Sequence, residues 1–293
     1  MINLNEEGSE EFYELQARLL GSFLFFTKTF YELRTGREFI ISEPVGRESH
    51  FITIAKALTR IFRGEITRLI INVPPRHGKT ELLIHFVAWA LAHHSDSNFL
   101  YISYSHSLAK KQTQTIRDIL TLPYYRKLFD IKLLDESTAK DDFVLSGGGS
   151  VYAAGSGGTI TGHGAGIMGI DRFGGAIIMD DMHKPDEATS DVIRKGVIDW
   201  YYNTLQSRLN NGENTPIIFI GQRVHEDDLP AHLMASGEKW ETVILPSIDN
   251  VGNIIYPSFQ SEKMLLKMKE LEPYTFAAQY QQNPQPSGGG IWK

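Results

Sequence analysis

The chain has 293 residues, 42% of them hydrophobic, no cysteine and a formal net charge of −6; this allows one substantial core with a small appended subdomain and excludes disulfides, thiolate metal sites and cysteine nucleophiles. The acidic balance excludes a surface uniformly coated for nucleic-acid binding, although contact through a single basic face is compatible with it. No apolar run approaches the roughly 20 residues of a membrane span, and the opening MINLNEEGSEEFYELQ lacks the basic-then-apolar layout of a signal peptide, so the expectation is a cytosolic protein with no membrane partner.

Residues 9–35 carry apolar positions at helical spacing, with Phe12, Leu15, Leu19, Phe23 and Phe26 as the buried stripe. Ser42-Glu43-Pro44 breaks the chain, and residues 50–62 read as an amphipathic helix burying Phe51, Ile54, Ala55, Leu58 and Ile61. The pattern then changes to short apolar runs at 68–73, 98–103, 176–179, 216–220 and 242–245, alternating with helical stretches at 80–92, 108–122 and 187–209. That alternation predicts an α/β fold with a mainly parallel, buried sheet flanked by helices. Residues 142–175 depart from the rhythm and read as a hairpin around a short strand at 151–154, followed by a long Gly-rich loop, either functional or merely flexible. Residues 283–290 are Pro/Gln/Gly-rich and linker-like.

The strongest local signal is a hydrophobic strand at 69–73, then Pro74-Pro75-Arg76-His77-Gly78-Lys79-Thr80 opening a helix. This order aims backbone N–H groups and a helix dipole at a phosphate chain, with Lys79 reaching the β- and γ-phosphates and Thr80 ligating Mg²⁺. Pro75, Arg76, His77, Gly78 and Glu81 belong to the same nucleotide-binding turn. Val73 stands where the motif usually has its first glycine. A second apolar strand ends in Asp180-Asp181, where such a fold places the metal-holding carboxylate (Asp180) and the group that polarises the attacking water (Asp181); capping of the next helix is the alternative for this acidic pair.

Other chemistry-bearing residues have plainer readings. The ten histidines show no ligand spacing. His93-His94 reads as a helix cap, His77 as a loop-shaping group, Trp200-Tyr201-Tyr202 as helix packing, and Arg194, Lys195 and Arg208 as solvated surface, with DNA or a neighbour's nucleotide as their alternative. In the loop 155–169, where His163 is the one possible charge, phosphate contact would come from backbone N–H groups.

The combination of residues 74–80, Asp180-Asp181 with Lys184, Glu187, Ala188 and Ser190, the run 221–229 (GQRVHEDDL) and the string 276–284 (FAAQYQQNP) resembles the large terminase subunit of tailed bacteriophages over about residues 43–293. The resemblance implies a RecA-like P-loop ATPase core at 46–283 with a small N-terminal helical or lid segment at 1–45, and a linker at 284–293 toward an absent nuclease domain. It implies a Mg²⁺-dependent ATPase that drives double-stranded DNA into a procapsid as a homo-oligomeric ring, with a portal protein and a small terminase subunit as partners, in the cytoplasm of an infected bacterium. No nuclease activity is expected from this chain. By the same resemblance Arg76 senses or stabilises the γ-phosphate, residues 221–223 couple hydrolysis to movement, Gln222 contacts water or phosphate, and Arg47 and His50 lie near the adenine. Gln222 stands where Thr or Ser is common, and Asp181 where Glu is usual. The alternatives are another RecA-like DNA translocase or helicase, and a nucleotide-gated scaffold without turnover.

Overall fold

The computed structural model describes residues 8–134, 139 and 141–285. Strands β1 (Arg68–Asn72), β2 (Asn98–Ser103), β3 (Asp142–Val144), β4 (Ser150–Gly155), β5 (Ile177–Asp180), β6 (Ile217–Gly221) and β7 (Glu241–Ile244) form one sheet in the order β3-β4-β2-β5-β6-β1-β7. Every neighbouring pair is parallel except β3–β4, the hairpin expected from the sequence. The central strands read as continuous apolar runs because both of their faces are covered. Along β2, Phe99 and Tyr101 enter one core while Leu100 and Ile102 enter the other.

The first core is covered by α1 (Glu10–Gly21), α2 (Phe23–Thr35), α3 (His50–Phe62), α4 (Lys79–His93), α5 (His106–Thr121) and α6 (Pro123–Phe129). The second lies under α7 (Asp191–Trp200), with α8 (Leu229–Ala235) beside it. A last helix, α9 (Glu262–Leu271), leads into a short helical turn that ends in a π-wound segment, Phe276–Tyr280.

The N-terminal segment is helical, as expected, and packs into the main core. Phe23 packs on Trp89 at 5.6 Å and Phe26 on Tyr125 at 6.3 Å, so the α1–α2 pair fills the same core as α4 and α6. The helix break at Ser22 leaves the Leu20 carbonyl open, and the imidazole of His93 donates to it at 3.0 Å while Trp89 Nε1 donates to Leu19 and Leu20. His93 therefore docks α4 on α1 rather than capping its own helix. The long helix expected at 187–209 is shorter: Ser190 caps α7 through the Ile193 N–H, and beyond Trp200 the winding changes to a π turn over Tyr201–Leu205 and a 3₁₀ turn over Gln206–Arg208. Arg194 is buried, donating to the Ala188 carbonyl at 2.6 Å and pairing with Asp191, which corrects its reading as solvated surface. Tyr201 is fully buried and Trp200 donates to the Gly158 carbonyl, so this aromatic run does pack.

Candidate nucleotide and metal site

The carboxyl ends of β1, β5 and β6 lie side by side, with Asn72 opposite Gly221 and Asp180 opposite Ile220. After β1 the chain turns through the proline pair and re-enters a helix at Lys79. Two residues make that turn with left-handed backbone, Arg76 (φ 61°) and Gly78 (φ 73°). Glycine is required at 78 twice over, since a Cβ there would also sit 2.5 Å from the Phe51 ring. The first turn of α4 lacks intrahelical acceptors for its N–H groups and presents them to the loop with the positive end of the helix dipole.

The loop is braced from behind. His77 is buried, and its Nδ1–H donates to the Pro75 carbonyl at 2.9 Å. Its own carbonyl accepts from His50 Nε2 at 3.0 Å, while His50 Nδ1 accepts from the Ser42 hydroxyl at 3.1 Å. Burial pushes the His50 imidazole down to about 3 and that of His77 to about 4, so both are neutral spacers. His50, fully buried with both nitrogens engaged, has no free polar atom for a base, which corrects its expected place beside adenine. Arg47 donates to the Pro246 and Asn253 carbonyls at 3.1 and 3.3 Å, tying the segment before α3 to the 246–253 loop. Glu81 is held by Arg34 at 2.7 Å, so its carboxylate anchors α4 to α2.

The two acids have different surroundings. Asp180 is almost completely buried, its Oδ1 accepting from the Thr80 hydroxyl at 3.3 Å and its Oδ2 from the Tyr101 hydroxyl at 2.8 Å. Burial first, and the Asp181 charge second, raise its pKa well above the usual carboxylate range. Asp181 is more open, pairs with Lys79 Nζ at 3.0 Å and accepts weakly from the Gln222 N–H at 3.4 Å. It also takes left-handed backbone (φ 48°), a conformation that costs free energy and concentrates at functional sites. Neither acid caps α7, whose cap is Ser190.

Arg76 is exposed, whereas Arg223 is buried and consumed: Nε pairs with Asp228 at 2.9 Å, and one terminal nitrogen donates to the His225 and Glu226 carbonyls. Arg223 is thus a loop-holding group. Sequence reasoning missed Tyr101 and also the aromatic wall in which Tyr256 and Phe259 pack on His77 at 5.9 and 5.7 Å; no motif marks these positions. The loop 155–169 is pinned rather than loose, with Ala165 donating to the Arg208 carbonyl, Gly166 to the Asn98 carbonyl, and His163 stacked on Tyr152 at 3.6 Å. Lys195 is exposed, and Arg208 is partly covered, donating to Ser207.

The residues fit a magnesium nucleotide. Thr80 and Asp180 offer hard oxygen donors in contact, and no described group of three or more acidic, His or Cys side chains forms a self-sufficient metal cage. Mg²⁺ suits such a site, because it keeps several waters and takes substrate phosphate oxygens beside one or two protein ligands. Around the same strand ends, Asn72 Oδ1, His77 Nε2, Ser103 Oγ and Gln222 Oε1 are buried without partners, the signature of an environment completed by water or ligand.

The fold is α/β, a seven-stranded, mostly parallel sheet flanked by helices, with the candidate site at the carboxyl ends of its central strands. More particularly, the fold is that of phage large terminases. The HK97 bacteriophage large terminase superposes with a TM-score of 0.58 at 14% identity, over 90% of this chain and 55% of that one. The large terminase of the thermophilic bacteriophage D6E gives a TM-score of 0.48 at 11% identity, covering 77% of this chain and 52% of that one. The D6E protein in complex with ADP gives 0.45 at 11% identity, covering 78% and 52%. The chain thus spans about half the length of the terminases it matches. No protein-family model and no curated protein sequence matches it.

Proposed function

We propose that the chain is the Mg²⁺-dependent ATPase motor domain of a phage DNA-packaging terminase, acting in the cytoplasm of an infected bacterium. The observation that carries this reading is the meeting of Thr80 with Asp180 across 100 positions of sequence, beside the Lys79–Asp181 pair. In this reading the N–H groups opening α4 and the Lys79 ammonium bind the β- and γ-phosphates, and Thr80 and Asp180 hold Mg²⁺. Bound Mg²⁺ supplies charge neutralisation at the phosphate oxygens. Tyr101 orients the Asp180 carboxylate. Asp181, released from Lys79 as the ammonium turns to phosphate, orients the attacking water and accepts its proton. Arg76, exposed at the tip of the turn, stabilises charge on the γ-phosphate, and the Gln222 amide faces the same water. Arg47, Tyr256 and Phe259 line the side of the loop where the base would rest.

Turnover, rather than nucleotide-gated scaffolding, is supported by both acids facing phosphate-loop residues instead of capping a helix. The same reading makes double-stranded DNA, a portal protein and a small terminase subunit the partners, with a homo-oligomeric ring as the working form. The test is phosphate release from ATP by the purified chain, with Mg²⁺ or EDTA, with and without duplex DNA and portal. Metal-dependent release that rises with DNA or portal supports the motor; nucleotide binding with no release under any of these conditions would favour the scaffold.

A further inference from the structure

The segment that follows α9 returns to the nucleotide site. Ser247 donates to the Tyr280 carbonyl at 2.7 Å, and the Gln281 amide clasps Ile248 in both directions, accepting its N–H at 3.1 Å and donating to its carbonyl at 3.0 Å. Leu245 donates in turn to the Asn72 carbonyl at the end of β1. The next residue, Gln282, is 3% exposed and lies in the left-handed region at φ 56°. Its Oε1 accepts the Arg223 N–H at 3.0 Å, and its Nε2 donates to the Gln279 carbonyl at 2.5 Å.

A glutamine in left-handed backbone persists where its surroundings over-determine it. Here the compensating contact is a buried backbone donor that would otherwise go unpaired. The adjoining peptide N–H, that of Gln222, is the one that reaches Asp181 Oδ1. The Arg223 side chain is locked onto Asp228 and cannot adjust. One short stretch of backbone is therefore gripped on one side by the 280–282 turn and grips a site carboxylate on the other.

We propose that Gln282 is a positioning residue: by accepting the Arg223 N–H it holds the 221–223 backbone, and through the Gln222 N–H the Asp181 carboxylate, so that the 276–282 turn shifts with the state of the nucleotide site. The claim rests on the proposed hydrolytic role of Asp181.

Gln282→Gly is the informative variant, because glycine adopts this left-handed backbone freely, so the acceptor is lost without added backbone strain. Loss of the bond that holds the Gln222–Arg223 backbone, and with it the alignment of Asp181, predicts a fall in kcat of about tenfold with KM for ATP unchanged. The thermal midpoint should fall by only a few degrees, the cost of leaving the Arg223 N–H without its acceptor. Amide exchange in the nucleotide-free protein should quicken at Arg223. With the β,γ-imido analogue of ATP, residues 220–224 and 276–282 should gain protection together in the parent chain, and 276–282 should lose that response in Gln282→Gly. An unchanged kcat, a matched change in kcat and KM, or unchanged exchange at Arg223 would overturn the proposal. Failure of the ATPase reading itself would appear separately, as no turnover in the parent chain, and the Arg223 exchange measurement would still decide whether Gln282 holds that backbone.

Discussion

At the scale of single residues, the division of labour between the two acids is the sharpest expectation. Asp180 touches Thr80 and is buried, so Asp180→Asn should weaken Mg²⁺-dependent nucleotide binding. Asp181 pairs with Lys79 and is partly open, so Asp181→Asn should leave binding largely intact and cut turnover by about 10²-fold or more. Titration calorimetry with Mg²⁺·ADP alongside phosphate release separates the two, and equal loss of both properties in both variants would contradict the assignment. The buried imidazoles give a pH signature. His50, packed among Ser42, His77, Arg47 and Tyr256, is pushed down to about 3, and His85, beside Glu81, Arg34 and Tyr31, to about 4, both mainly by desolvation. Their ordinary value is 6.5, so below that pH the unfolded chain binds the protons and the folded one does not. Each therefore contributes stability that is complete above about pH 6.5 and is lost on acidification, roughly 2 kcal/mol per imidazole by pH 5. Unfolding midpoints in denaturant should fall steadily between pH 7 and 5; a flat profile would mean these rings are solvated.

At the scale of elements, the α1–α2 pair is the test of packing. Phe26 is fully buried against Phe30, Tyr125 and Phe129, so Phe26→Ala should cost about 3–5 kcal/mol of global stability, read as a single shifted unfolding transition. A lid that folds apart would give a small shift or a separate low transition. The sequence shows the Phe12, Leu19, Phe23 and Phe26 stripe plainly, because helical periodicity reveals which face is buried. It does not reveal what covers that face, and so the pair reads as an appended segment when it is core. The parallel strands were legible for a related reason: burial on both faces leaves continuous apolar runs such as residues 69–71 and 177–179. The winding change after Trp200 has no comparable signal, since Tyr201 and Leu205 keep an apolar spacing that suits an α-helix equally well. The site divides likewise. Lys79, Thr80, Asp180 and Asp181 stand out by motif, whereas Tyr101 is marked only by a contact made across the fold, and Gln282, though inside the string 276–284, shows its contact with Arg223 only in the structure. Arg194, read as solvated surface, and His50, placed near the adenine by the resemblance, are instead buried structural groups.

At the scale of the whole molecule, a net charge of −6 and an exposed Arg76 set expectations for assembly. The isolated chain should be mostly monomeric and a poor ATPase, because a cation from a neighbouring subunit contributes about 10³ to 10⁵ in rate in related phosphoryl-transfer sites and like charges oppose unassisted self-association. Turnover that climbs more steeply than linearly with protein concentration supports a subunit-supplied cation, while brisk, strictly proportional turnover makes Arg76 sufficient. Binding to duplex DNA should be weak, indifferent to sequence and lost quickly as salt rises; sequence-specific binding that survives high salt would favour a site-recognition protein. No helix among the described residues is long and apolar enough to cross a membrane. The central claim, that residues 74–80 with Asp180 and Asp181 form a working phosphate site, is tested most directly by Mg²⁺-dependent phosphate release from ATP in Lys79→Ala beside the parent chain. The account predicts that release in the variant falls to background while the fold, followed by circular dichroism, survives; near-normal turnover in the folded variant would contradict it.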